Sequence, residues 1–189
     1  MGTAKIHTDG MNISHDETVF SSDEFSEQLV SIGARRQARE IALRGLYALE
    51  LSGNSVHTII RQIIEEGPVN RRIVREFARK MIELAFDRQY ELDGYIKKLA
   101  ANWDFSRIAV IDRIIMRMAI CEFLYFFDIP PKVSIDEAIE LTKVYSTEKS
   151  GQFVNGILDA VLAELKKANQ VIKSGRGLQE SSKKKNSKP

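Results

Sequence analysis

A chain of 189 residues that is 43% hydrophobic and 29% charged has the composition of a folded globular domain, which excludes a fibre or a wholly disordered polymer. Its formal net charge of +2 is too small to announce a nucleic-acid binder, and its single cysteine, Cys121, cannot close an internal disulfide and reads as a buried thiol in a reducing compartment. The start lacks the basic-then-apolar layout of a secretion signal. The most apolar stretch, 108–127, is broken by Asp112, Arg113, Arg117 and Glu122, so a cytoplasmic chain without a membrane span is expected.

The near-neutral total hides an uneven layout. Residues 1–33 hold Lys5 against six acids, a balance of −5, whereas 166–189 hold eight Lys or Arg against Glu180, a balance of +7. The first 33 residues show no sustained apolar period and read as an acidic, mobile extension with at most one short turn over 20–29. Between the tails, apolar residues recur at three and four and strict alternation is missing, so the domain at 34–169 is all α. A first helix is predicted over 34–51, closed by Ser52-Gly53-Asn54, whose Gly suits a left-handed cap. A second spans 56–66 and stops at Gly67-Pro68. A third runs from an Asn70 cap to 86, and a fourth over 88–101. The longest apolar helix, 106–126, is predicted to be the centre of the core. Asp128-Ile129-Pro130-Pro131 ends it. Ser134 and Glu137 have capping-box spacing and place a sixth helix at 135–146. A seventh covers about 149–168, and a basic, solvated tail follows from 170.

Signatures of catalysis are missing: there is no Walker loop, no G-x-G-x-x-G after a strand, no H-E-x-x-H and no Cys-x-x-Cys. His7 and His15 fall in the acidic extension and His57 opens the second helix, so no metal or cofactor site is expected. Ser14-His15-Asp16 cannot act as a triad, because triad geometry comes from a rigid fold and not from neighbours in sequence. The chain does not read as an enzyme.

Three stretches carry possible binding chemistry. In RRQAREIALRGLYALEL, 35–51, the residues Ala34, Ala38, Ile41, Ala42, Gly45, Ala48 and Leu49 share one face. Arg35, Arg36, Arg39 and Arg44 spread over the other, with Tyr47 among them. Like charges at three and four, in helix turns where the macrodipole disfavours cations, cost stability unless an anion bridges them. An RNA phosphate is one such anion, and Tyr47 could stack on an unpaired base. The plainer alternative pairs Arg36 with Glu40, leaves the other arginines solvated and lets Tyr47 cap the core edge. In EKSGQFVNGILDAVLAEL, 148–165, a helix starting near Ser150 would aim free N–H groups outward beside Lys149, a phosphate site. Gly156 reads there as a close helix contact, and Phe153 as core more than stacking platform. On the central helix, Asp112, Arg113 and Arg117 mark either a partner interface or a solvated stripe.

Taken together, R-R-x-A-R-E followed by A-L-x-x-L-Y, the segment IPPKVSIDEAIELTKVY and the run KSGQFVNGILD resemble the NusB antitermination factors over 34–165. The resemblance implies seven helices in two packed helical subdomains and a non-enzymatic RNA-binding protein. It implies a boxA-type single-stranded RNA of ribosomal RNA operons as ligand and NusE, a small-subunit ribosomal protein, as partner. RNA polymerase and other Nus factors would be engaged indirectly, and a homodimer stays open. By the same resemblance Arg35, Arg36 and Arg39 match the arginine-rich RNA motif, Tyr47 its downstream aromatic, and Lys149, Ser150 and Phe153 the other wall of the RNA surface. Asp112 falls where the family turns an acidic side chain toward NusE, although ANWDFSRIAVIDR fits that pattern loosely. The acidic extension and the lysine-rich tail have no counterpart in the family core. The same helical domain fronts ribosomal RNA cytosine methyltransferases, and without a following catalytic domain that enzyme is not expected. A rival of another class is a helical scaffold that binds protein and has no RNA specificity.

Overall fold

The computed structural model describes residues 22–100 and 103–178. Seven α-helices and no strand occur among them. α1 (Ser22–Ser52) begins ahead of residue 34 and so takes in part of the segment read as an acidic extension; residues 1–21 lie outside the described residues. It ends where predicted, at Gly53 with φ 65°, a conformation that costs a residue without Cβ almost nothing. α2 (Val56–Ile60) is capped by the Ser55 hydroxyl, which accepts the Thr58 N–H at 3.2 Å. It continues through a wider turn, Arg61–Glu65, closed by the Glu66 N–H on the Arg61 carbonyl at 2.9 Å.

α3 (Arg72–Asp87) starts after Arg71 without a side-chain cap, so Asn70 does not serve as one. Its buried Val74, Ala78, Met81, Ile82 and Ala85 recur at helical spacing and face α1. The two helices approach tightly at Gly45, where a Cβ would lie 2.7 Å from Ile82 Cδ1. α4 (Gln89–Leu99) follows after Arg88 alone, and a short 3-10 turn, Phe105–Arg107, capped by the Asp104 carboxylate, precedes α5 (Val110–Tyr125). α5 is the core element the sequence predicted: Ile114 to Phe123 are buried without interruption, and it packs on α1, α3, α4, α6 and α7. Cys121 is fully buried within it, and burial pushes its thiol pKa up.

α6 (Pro131–Tyr145) begins at proline, whose missing N–H is not needed in a first turn. The expected capping box is therefore corrected: Ser134 and Glu137 lie inside the helix and are buried, and the Ser134 hydroxyl donates to Glu122 Oε2 at 2.6 Å. α7 (Glu148–Lys167) is capped by Thr147, whose hydroxyl accepts the Ser150 N–H. Beyond it the chain turns back. Val171 packs on the core, the Ser174 N–H reaches the Phe127 carbonyl at 2.9 Å, and the Lys173 amine donates to the Glu122 and Phe126 carbonyls at 2.8 and 2.9 Å. These carbonyls, in the last turn of α5 and just after it, also accept the Phe126 N–H at 3.3 Å and the Ile129 N–H at 3.2 Å, so the Lys173 amine adds a second donor to each. Burial pushes the Lys173 pKa down to about 8.

Gly156 departs from the expected close contact: it is exposed and a Cβ there would meet nothing within 4 Å. Gly156→Ala should thus raise unfolding stability by up to about 1 kcal/mol through helix propensity, whereas Gly45→Val should cost about 1–3 kcal/mol by overpacking against Ile82, both read by urea denaturation. Cys121 should resist a thiol reagent in the native protein and react at a rate that tracks unfolding when urea is added.

Candidate nucleic-acid interface

The arginines of α1 do meet anions, and these are the protein's own carboxylates. Arg39 is 4% exposed and forks onto Glu122 of α5, with Nε and Nη2 donating at 2.7 and 3.0 Å, while Nη1 lies 3.4 Å from Glu137 of α6. Burial alone would lower its pKa, but the two carboxylates outweigh that and hold it raised. Arg36 is half-exposed and pairs bidentately with Glu137 at 2.7 and 3.2 Å, not with Glu40. Arg35 pairs with Asp128 at the loop before α6. The expectation of three surface arginines is thereby corrected to two, since Arg39 is enclosed between helices.

Two cross-links fix how α1 runs beside α6. Arg36 meets Glu137 and, two turns on, Arg44 donates to the Tyr145 hydroxyl at 3.3 Å, at the same sequence offset of 101. The two helices are therefore parallel, and their shared edge leads from Arg35 and Arg36 past Arg44 to the turn between α6 and α7. Tyr47, about 4.5 Å further along the axis than Arg44, is 40% exposed, as its place on the polar side implied.

Lys149, Ser150 and Phe153 lie just past that turn. Lys149 is exposed. Ser150 is not a free helix start, because its N–H is taken by Thr147 and its hydroxyl accepts from Ser146 at 3.1 Å. Phe153 is half-buried, packs on the core and meets Trp103 with ring centroids 5.4 Å apart. Trp103, 64% exposed in a polar loop, was passed over in the sequence, although a large aromatic beside Asn102 and Asp104 was the available signal. These residues line a cavity of about 280 Å³ together with Arg107 and Asp112.

Of the central-helix charges expected to mark a partner interface or a solvated stripe, Asp112 and Arg117 are enclosed and Arg113 is partly accessible. Arg117 is 7% exposed, forked onto Asp93 of α4 and bonded to Glu50 of α1 at 3.1 Å. Asp112 is buried. Arg113 keeps part of its side chain accessible, lies over the Phe105 ring at 5.1 Å and sits 3.7 Å from Glu50. Arg117 is internal because α1 and α4 bring Glu50 and Asp93 against it on α5.

The model of the NusB family matches residues 36–163. This chain belongs to the NusB family. Over 145 residues, 77% of its own length and 69% of the other, it is 47% identical to a transcription antitermination protein NusB of Chloroherpeton thalassium (strain ATCC 35110 / GB-78). A structure of T. maritima NusB is similar at a TM-score of 0.63 and 36% identity, covering 69% of this chain and 91% of that one. A NusB chain from a complex of antitermination factors NusB and NusE with dsRNA is similar at 0.64 and 27%, covering 69% and 97%. All four parts of the NusB resemblance, from the α1 arginines to the α7 run, fall inside the matched region or one residue before it.

If Arg39 holds the NusB domain together, Arg39→Ala should cost about 3–5 kcal/mol by leaving Glu122 buried without its counter-ion, while Arg36→Ala should cost less than about 1 kcal/mol. Equal losses in urea unfolding would contradict the distinction.

Proposed function

We propose that this NusB protein acts in transcription antitermination by binding boxA-type single-stranded RNA jointly with NusE, without catalysis, in the cytoplasm. The observation that carries the reading is the single edge on which Arg35, Arg36, Arg44 and Tyr47 lead into the start of α7. Guanidinium groups there neutralise phosphates, and Tyr47 and Phe153 offer ring faces to splayed bases. The NusB, NusE and dsRNA complex among its structural relatives supports RNA and NusE as partners. RNA polymerase and other Nus factors are engaged through that assembly.

The carboxylates beside Arg35 and Arg36 modify the expected energetics. A phosphate must displace or share Asp128 and Glu137, so the isolated protein binds weakly and a second protein on the same RNA adds what the arginines alone lack. NusE is assigned to the accessible side of Arg113 at the start of α5, because Arg117 and Asp112 are enclosed.

Binding should be measured with a boxA-type strand and a scrambled strand, with and without NusE, across a salt series. Arg36→Glu should weaken the boxA complex and reduce the magnitude of the log–log salt slope by about 0.7, the share of one phosphate on a single strand. Salt-independent indifference of wild type and variant to both strands, with NusE present, would instead favour a protein-only scaffold.

A further inference from the structure

Lys173 stands apart from the other lysines. It is half-buried, whereas every other lysine among the described residues is exposed. Two carboxylates act on it through their charge, and both are already engaged: Glu122 by Arg39 and the Ser134 hydroxyl, Asp128 by Arg35. Its amine is held instead by two backbone carbonyls, those of Glu122 and Phe126, at 2.8 and 2.9 Å. A buried ammonium without a carboxylate of its own is disfavoured against the neutral amine. The other cations at this end of α5, Lys80 on the Tyr125 carbonyl and Arg35 on Asp128, push in the same direction.

Two acceptors need two N–H groups. An ammonium carries three, and a neutral amine carries two and a lone pair, so loss of the proton keeps both hydrogen bonds and creates a nucleophile. Burial brings this change close to neutrality. With its pKa lowered to about 8, about a quarter of the amine is neutral at pH 7.5, against roughly one in a thousand for an ordinary lysine.

The segment that Lys173 fastens is cheap to release. It consists of Val171 on the core, Ile172 exposed, the lysine itself, and the Ser174 N–H on the Phe127 carbonyl at 2.9 Å. Both carbonyls that hold the amine keep a backbone donor, from Phe126 and Ile129, when the amine leaves. No buried acceptor is orphaned. An amide formed on the Lys173 nitrogen has a single N–H and added bulk, so it cannot serve both carbonyls.

We propose that Lys173 is an acyl-acceptor site for a small acyl phosphate, and that its acylation unlatches the strap 171–174 from the end of α5. The neutral nitrogen attacks the acyl carbon and a C–N bond forms. The C–O bond to the phosphate breaks with its electron pair on the departing phosphate oxygen, and the surplus proton on nitrogen passes to water. A half-buried amine admits a donor of few atoms, which an acyl phosphate is. Neither step involves RNA, so the site stands or falls independently of the antitermination reading.

The full chain is labelled to low extent with acetyl phosphate at pH 7.5, and acetylation of each lysine is read by peptide mass spectrometry. Lys173 should react roughly tenfold faster than the exposed Lys149, the gain in neutral amine less the weaker nucleophilicity of a less basic nitrogen. Its rate should level off above about pH 8, while that of Lys149 keeps climbing. In urea the two rates should converge. After acetylation, hydrogen exchange at the Ser174 N–H should accelerate by about tenfold or more, and Lys173→Gln, which carries a neutral amide, should reproduce that change without reagent. Lys173 labelled no faster than Lys149, or an advantage that survives in urea, overturns the acceptor site. Acetylated Lys173 with unchanged exchange at Ser174 overturns the unlatching.

Discussion

Arg39 and Glu122 form an ion pair that is almost wholly removed from water, and three helices are arranged around it. Charges so placed are expensive to desolvate, and the cost is recovered only when every lone pair and every N–H finds a partner. Here the fork of Arg39 meets both oxygens of Glu122, the Ser134 hydroxyl donates a further bond to one of them, and Glu137 closes the other side of the guanidinium. Apolar packing would hold α1 against α5 at many rotations. The pair tolerates only one, and that rotation puts Arg35, Arg36, Arg44 and Tyr47 on the open edge beside α6. The buried arginine thus sets where the exposed ones stand.

A second cluster does related work further along. Arg117 ties α5 to Asp93 of α4 and to Glu50 near the end of α1. With it the helices sort into α1 to α3, packed at Gly45, and α4 to α7, with α5 common to both groups. The region of α1 that carries the surface arginines and the region of α7 that carries Phe153 belong to different groups. Their relative position is nevertheless held by ion pairs at two heights on α5, which suits a surface that must match a nucleic acid strand without first rearranging.

Helix count, order and approximate limits were legible in the sequence because apolar spacing, Gly53, Gly67-Pro68 and Pro130-Pro131 report on local backbone preference. The buried centre at α5 was legible from its composition. Charge pairing was not. Arg36, Arg39 and Arg117 look alike in a string of letters, and the carboxylates that meet them stand 101, 83 and 24 residues away. The same blindness made Ser134 and Glu137 resemble a cap when both are inward-facing, and made Gly156 resemble a contact when the real one is Gly45. Local rules identify local structure, whereas the sorting of arginines into enclosed and available ones is a property of tertiary distance.

The return of the chain after α7 also sets a geometry at the end of the described chain. Lys173 and Ser174 are fastened to the last turn of α5 and to Phe127, and the neighbouring Asp128 holds Arg35. The end of the described chain is thus moored beside the arginine edge, so a change that frees Lys173 from α5 is transmitted to the loop whose Asp128 holds Arg35 and not to the far side of the molecule.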